Sequence, residues 1–144
     1  MHARGFTMMS MLFILVVLAA LGVALASLTQ RQQLGSAGEL AAAKAYQAAF
    51  AGLEWGSHQI LRAGGQPACF GTRSFALPDQ LADFTVTVTC ARATATDGEQ
   101  ALAFYTLVAT ACNIASGGAC PNGATTEPAY AERQLSRSLG TATP

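Results

Sequence analysis

The chain has 144 residues, room for one domain and not two. Apolar residues make up 51% of it and charged residues only 11%, against roughly 25% charged in an ordinary soluble domain. Basic and acidic residues cancel and the bases are scattered along the chain, which excludes the charge footprint of a nucleic-acid binder or a polybasic membrane patch.

The first element is the apolar run 6–28, which contains no Asp, Glu, Lys or Arg. As a helix it rises about 34 Å, enough for a hydrocarbon core of roughly 30 Å. Three readings compete for it: an uncleaved signal anchor, a conventional signal peptide, or a helix retained after removal of a short leader. For the signal peptide speak the basic start Met1-His2-Ala3-Arg4 and the Ala24-Leu25-Ala26 pattern before Ser27. Against it, the run is longer than the usual apolar region of a signal peptide, and helix-forming sequence continues past Ser27. Arg4 lies on one side of the run and Arg31 and Lys44 on the other, so the distribution of bases does not orient it.

From residue 29 to 61 there is no proline, and Ala, Gln, Leu and Glu predict a second helical stretch. Ala42, Tyr46, Ala49, Leu53, Gly56 and Ile60 recur at steps of three and four and predict its apolar face, with Lys44, Gln47, Glu54 and His58 opposite. Gly64-Gly65 and Pro67 end it. If the two stretches join, the helix is about 85 Å long. Ala45, Ala48, Gly52 and Gly56 form a smooth strip suited to close helix packing, since small residues let backbones approach. That strip can seat the helix on its own sheet, receive another subunit, or do both along different faces.

Beyond the helix, residues 84–90 (Phe-Thr-Val-Thr-Val-Thr-Cys) alternate perfectly and predict a half-buried strand. Residues 101–112 predict a second strand, and 72–77 and 130–139 weaker ones. Ser116-Gly117-Gly118 and Pro121-Asn122-Gly123 mark turns. The expected fold is α+β: a long N-terminal helix packed on a small, mainly antiparallel sheet of three or four strands. Cys69, Cys90, Cys112 and Cys120 are an even count after an export-type segment, which predicts two disulfides in an oxidising compartment. Of the three possible pairings the sequence-local one, Cys69–Cys90 with Cys112–Cys120, is preferred. The sheet region 63–144 is small enough for such staples to matter.

No catalytic constellation is visible: no phosphate loop, no nucleophile elbow and no metal-ligand spacing around His2 or His58. Asp79 and Asp83 read as a turn or helix start, with too few oxygen ligands for calcium. The expectation is a protein that is not an enzyme and carries no cofactor or metal.

Arg4-Gly5-Phe6-Thr7 set directly against the apolar run resembles the prepilin peptidase site of type IV pilin precursors. Lys44-Ala45-Tyr46-Gln47-Ala48-Ala49-Phe50-Ala51-Gly52-Leu53-Glu54-Trp55-Gly56 resembles the segment that follows the membrane helix in pilin-like minor components. The likeness is nearest to the MshP-like biogenesis components of the mannose-sensitive haemagglutinin (MSHA) pilus. Related assembly proteins of the PilX type often have an acidic residue where this chain has Phe50. The resemblance covers less than half the chain. It implies a leader 1–5 cut between Gly5 and Phe6, an N-methylated Phe6, a membrane or filament-core helix 6–28, its amphipathic continuation 29–62, and a sheet domain 63–144. It also implies a pilin-like fold, inner-membrane lipid before assembly, a periplasmic C-terminal domain, then a place in the pilus at the cell surface. Implied partners are prepilin peptidase, other minor pilins and the major pilin, with no nucleic acid. Major pilins carry a glutamate five residues into the mature chain; here that position is Ser10, which points to a low-copy or tip-proximal subunit. A minor pseudopilin of type II secretion is the same-fold alternative, and a secreted binding module released after Ala26 the alternative of another class.

Overall fold

The computed structural model describes residues 6–142, with the side chains of residues 8–27, 29 and 35–141. One helix, α1 (Phe6–Ala63), precedes β1 (Arg73–Ala76), a 3₁₀ turn (Asp79–Leu81), and the longer strands β2 (Thr85–Asp97), β3 (Gln100–Cys112) and β4 (Glu132–Ala142). The chain divides into two compact units, one ending at Glu39 and one beginning at Leu40. Within α1 no proline removes a backbone donor, so the i to i−4 ladder can run uninterrupted. It stops at Gly64 and Gly65, whose φ of +67° and +61° are left-handed values that glycine adopts without a Cβ penalty.

In the second unit the four strands form one antiparallel meander in the order β1-β2-β3-β4. β2 and β3 pair along their whole length, from Thr85 opposite Cys112 to Asp97 opposite Gln100. Gly98 and Glu99 make the turn, with Gly98 at φ +60° in the first central position, as a type II′ hairpin requires. The architecture is thus α+β with a four-stranded antiparallel sheet.

Strand bounds differ from the sequence expectation chiefly in β2, which runs on to Asp97 and does not stop near Cys90. Residues 91–97 are exposed Ala, Arg, Thr and Asp with almost no hydrophobic alternation to read. They are extended because β3 supplies their ladder. β4 likewise begins at Glu132 and not Tyr130, and ends at Ala142.

The core lies between α1 and the inner face of the sheet. Ala45, Ala48, Ala49, Leu53 and Ile60 from the helix meet Phe84, Val86, Val88, Ala103, Tyr105, Leu107, Ala109 and Ala111. Many of these are alanines, so the helix can approach the sheet closely. Near its C-terminal end β3 is buried on both sides, because the 113–131 segment returns over the outer face. There the backbone N–H of Cys120 donates to Thr87 Oγ1 (2.8 Å), and Gln134 Nε2 donates to Thr110 Oγ1 (3.1 Å). These bonds satisfy two buried threonines that would otherwise be costly.

The disulfides are Cys69–Cys90 and Cys112–Cys120, with Cα atoms 5.6 and 5.8 Å apart, inside the usual range. The first ties the segment after α1 to β2; the second pins the returning segment to the end of β3. Exchanging both Cys112 and Cys120 for serine should lower the stability of this unit by about 2.5 kcal/mol, from the loop entropy returned to the unfolded chain. Thermal unfolding followed by near-UV circular dichroism at Trp55 checks this, and an unchanged midpoint would refute it.

Candidate functional site

Two surfaces stand out among the described residues, one in each unit. In the first, Met8–Ser27 is long and apolar enough to cross a membrane, and none of it is buried against the rest of the protein. Met8, Met9, Met11, Leu12, Phe13, Ile14, Leu15 and Val16 are all exposed. An uncovered stripe of this size is costly in water at about 25 cal/mol per Å² of apolar area, and favourable in lipid. The polar groups at its C-terminal end are already satisfied within the helix. Ser27 Oγ donates to Ala24 O (2.8 Å) and Thr29 Oγ1 to Leu25 O (3.0 Å). Ser10 is exposed within this stretch. Gly5 lies outside the described residues, as does the side chain of Phe6, the first residue of α1.

In the second unit the small-residue strip is the seat of α1 on its own sheet. Ala45 and Ala48 are fully buried, and Gly52 and Gly56 are buried with them. A Cβ built on Gly52 would stand 2.5 Å from Val86 Cγ1, 3.1 Å from Ala109 Cβ and 3.2 Å from Val88 Cγ2. At Gly56 the nearest atoms would be Leu107 Cδ1 and Val88 Cγ1 at 3.3 Å, and Phe70 Cζ at 3.4 Å. Of the two uses expected for this strip, the intramolecular one accounts for all four residues.

The buried face is accordingly displaced from the expected one. Ala49, Leu53, Gly56 and Ile60 belong to it, but Tyr46 is 51% exposed and Ala42 only partly covered. The stripe that packs is Ala45, Ala48, Ala49, Gly52, Leu53, Gly56, Ser57 and Ile60. Tyr46 lies off that stripe and is left half exposed.

Four residues that help define this seat, Arg137, Ser57, Tyr105 and Trp55, are not legible as such in the sequence. Arg137 on β4 reaches the helix, its Nη1 lying 2.7 Å from Glu54 Oε1 and 3.2 Å from Ser57 Oγ, with its guanidinium 5.5 Å from the Phe50 ring centroid. Both charged partners are substantially exposed, so the pair contributes at most about 1 kcal/mol and serves mainly to set the helix over β4. Ser57 donates to Leu53 O (2.7 Å) and is buried. Tyr105, fully buried, donates from its hydroxyl to Pro67 O (2.7 Å) and holds the segment after the helix. Trp55 packs on Phe70 and Phe75, at centroid distances of 5.1 and 5.3 Å, on the same segment and on β1.

What this arrangement offers among the described residues is packing surface between helix and sheet. His58 is exposed, Asp79 opens the 3₁₀ turn, and Asp83 lies two residues beyond its end. Among the described residues no group of three or more His, Cys, Asp and Glu could hold a metal ion. The Tyr130 hydroxyl is raised above its ordinary pKa, first by burial and then by the hydrogen bond it donates to Glu132. Comparison of the chain with protein-family models, curated proteins and solved structures finds no match.

Proposed function

We propose that this chain is a minor pilin-like structural and assembly component of a type IV pilus of the MSHA kind. In this reading residues 6–28 sit in the inner membrane with the N-terminus cytoplasmic, and the sheet domain is periplasmic. The subunit then joins other minor pilins and the major pilin in an initiating or tip complex. The observation that carries the reading is that one helix, α1, bears both an uncovered apolar stretch and a small-residue stripe seated on a disulfide-stapled antiparallel sheet. The two disulfides favour an oxidising compartment for the second unit. Gly5-Phe6 ahead of the apolar stretch supplies a cleavage site for prepilin peptidase.

Ser10 sharpens the role. A carboxylate within hydrocarbon costs about 2.5–3.5 kcal/mol on insertion scales, and is tolerated where a neighbouring subunit's amine can meet it. A subunit with nothing stacked above it has no such need, and serine avoids the cost.

The test is mass spectrometry of the mature N-terminus. A chain beginning at N-methylated Phe6 is expected, and Gly5→Ala should leave unprocessed precursor in the membrane fraction. A mature chain beginning at Ser27 would overturn the reading in favour of a secreted module.

A further inference from the structure

Away from the helix–sheet seat, the segment between β3 and β4 contains the only Asn-Gly step of the chain, Asn122-Gly123. Glycine has no Cβ to shield its amide, so its nitrogen can approach the preceding side-chain carbonyl more closely than any other residue's. In the folded segment every polar group of Asn122 is engaged. Its Nδ2 donates to Ile114 O (3.1 Å), and its Oδ1 accepts from the Ala124 N–H (3.4 Å). Its own N–H donates to the Tyr130 hydroxyl (3.0 Å), which in turn donates to Glu132, and its carbonyl accepts from the Thr125 N–H (3.4 Å). Asn113 closes the mouth of the same segment, donating to Ala129 O (2.7 Å) and accepting from the Ala131 N–H (2.9 Å). Cys112–Cys120 staples it two residues before Asn122, and Gly123 is exposed to water.

We propose that Asn122-Gly123 is a latent self-modification site, which the stapled segment keeps closed by engaging both ends of the Asn122 amide in hydrogen bonds that attack by the Gly123 nitrogen would have to break. When the segment opens, the Gly123 nitrogen loses its proton and forms a bond to Asn122 Cγ. The Cγ–Nδ2 bond breaks, and Nδ2 leaves as ammonia. Water then adds to either carbonyl of the resulting succinimide and opens the ring, leaving aspartate or isoaspartate at position 122. No oxidant, reductant or enzyme is needed. The product does not fit the closed segment. A carboxylate cannot donate to Ile114 O as the Asn122 amide does, and isoaspartate adds a methylene to the main chain. Opening of this segment thereby becomes an irreversible mark, whatever the protein assembles into.

The experiment incubates the full chain in detergent at mildly alkaline pH. Amide-to-acid conversion at Asn122 is followed by peptide-mapping mass spectrometry and isoaspartyl methylation. The oxidised protein is compared with the Cys112→Ser/Cys120→Ser variant, with Tyr130→Phe, and with a linear peptide of residues 119–126. The oxidised protein should convert at least about tenfold more slowly than the peptide, because conversion waits on local opening. The double serine variant should approach the peptide's rate, and Tyr130→Phe should fall between them. Near-UV dichroism of Trp55, which lies outside the segment, reports whether the rest of the unit remains folded. Should the serine variant unfold, Tyr130→Phe decides, since both disulfides remain in it. Conversion of the oxidised protein at the peptide's rate, Tyr130→Phe indistinguishable from the parent, or no conversion in any form would each overturn the proposal.

Discussion

Replacing Tyr105 by alanine is expected to lower the stability of the C-terminal unit by about 3–5 kcal/mol, the range for truncating a large core aromatic. Tyr105 is the largest of the fully buried side chains, set at the centre of β3 where the inner face of the sheet meets α1. Its loss leaves a cavity between helix and sheet. It also leaves Pro67 O without the hydroxyl that donates to it at 2.7 Å. Tyr105→Phe separates the two contributions, since the ring stays and only the hydrogen bond goes; its cost should be about 1–2 kcal/mol. Denaturant unfolding followed at Trp55 measures both variants. If Tyr105→Phe unfolds like the parent, the Pro67 carbonyl has found water and the bond contributes nothing net.

Gly52→Leu should cost about 3 kcal/mol, the upper end for overpacking a filled core, and lower the unfolding midpoint by more than about 10 °C. At an exposed helical position glycine is worse than most residues by up to about 1 kcal/mol, so a substitution there would normally help. Gly38 has no atom within 4 Å of a built Cβ, and Gly38→Ala should behave in that ordinary way. At Gly52 even a methyl group would meet Val86 Cγ1 at 2.5 Å, and Val86 is a β-branched side chain with little freedom to turn aside. Gly52→Ala should therefore destabilise by about 1 kcal/mol despite its better helix propensity. The same variants test what the strip is for. A Gly52→Leu protein that folds with the parent's stability would refute the strip's role as the seat of α1 on its own sheet.

Much of the fold is legible residue by residue. The charge-free run 6–28 reads, by its length and composition, as a helix long and apolar enough to cross a membrane. Phe84, Val86, Val88 and Cys90 alternate with threonines, and that period admits a strand and excludes a helix. Gly64-Gly65 ends the helix where it does because only glycine takes the left-handed conformation freely. The functional surfaces are less legible. Alanine and glycine carry almost no hydrophobic signal, so two stripes one residue apart, one through Tyr46 and one through Ala45, are nearly equivalent in sequence. Residues 91–97 lack any apolar alternation, and Arg137 lies in a strand of weak propensity.

By itself, then, the amino-acid sequence determined the kinds of elements and their order: an apolar helix, its helical continuation, a glycine stop, and strands joined by turns and cysteines. These follow from local periodicity and backbone chemistry, which need no distant partner. Only the tertiary structure decided which stripe of α1 is buried, how far β2 extends, and where Arg137 and Tyr105 make their bonds. The physical reason is complementarity. Val86, Val88, Leu107 and Ala109 present a surface that meets Gly52 and Gly56 at close range, with Ala45 and Ala48 buried on the same stripe and Tyr46 left exposed. Such a fit belongs to two surfaces together and is written in neither alone.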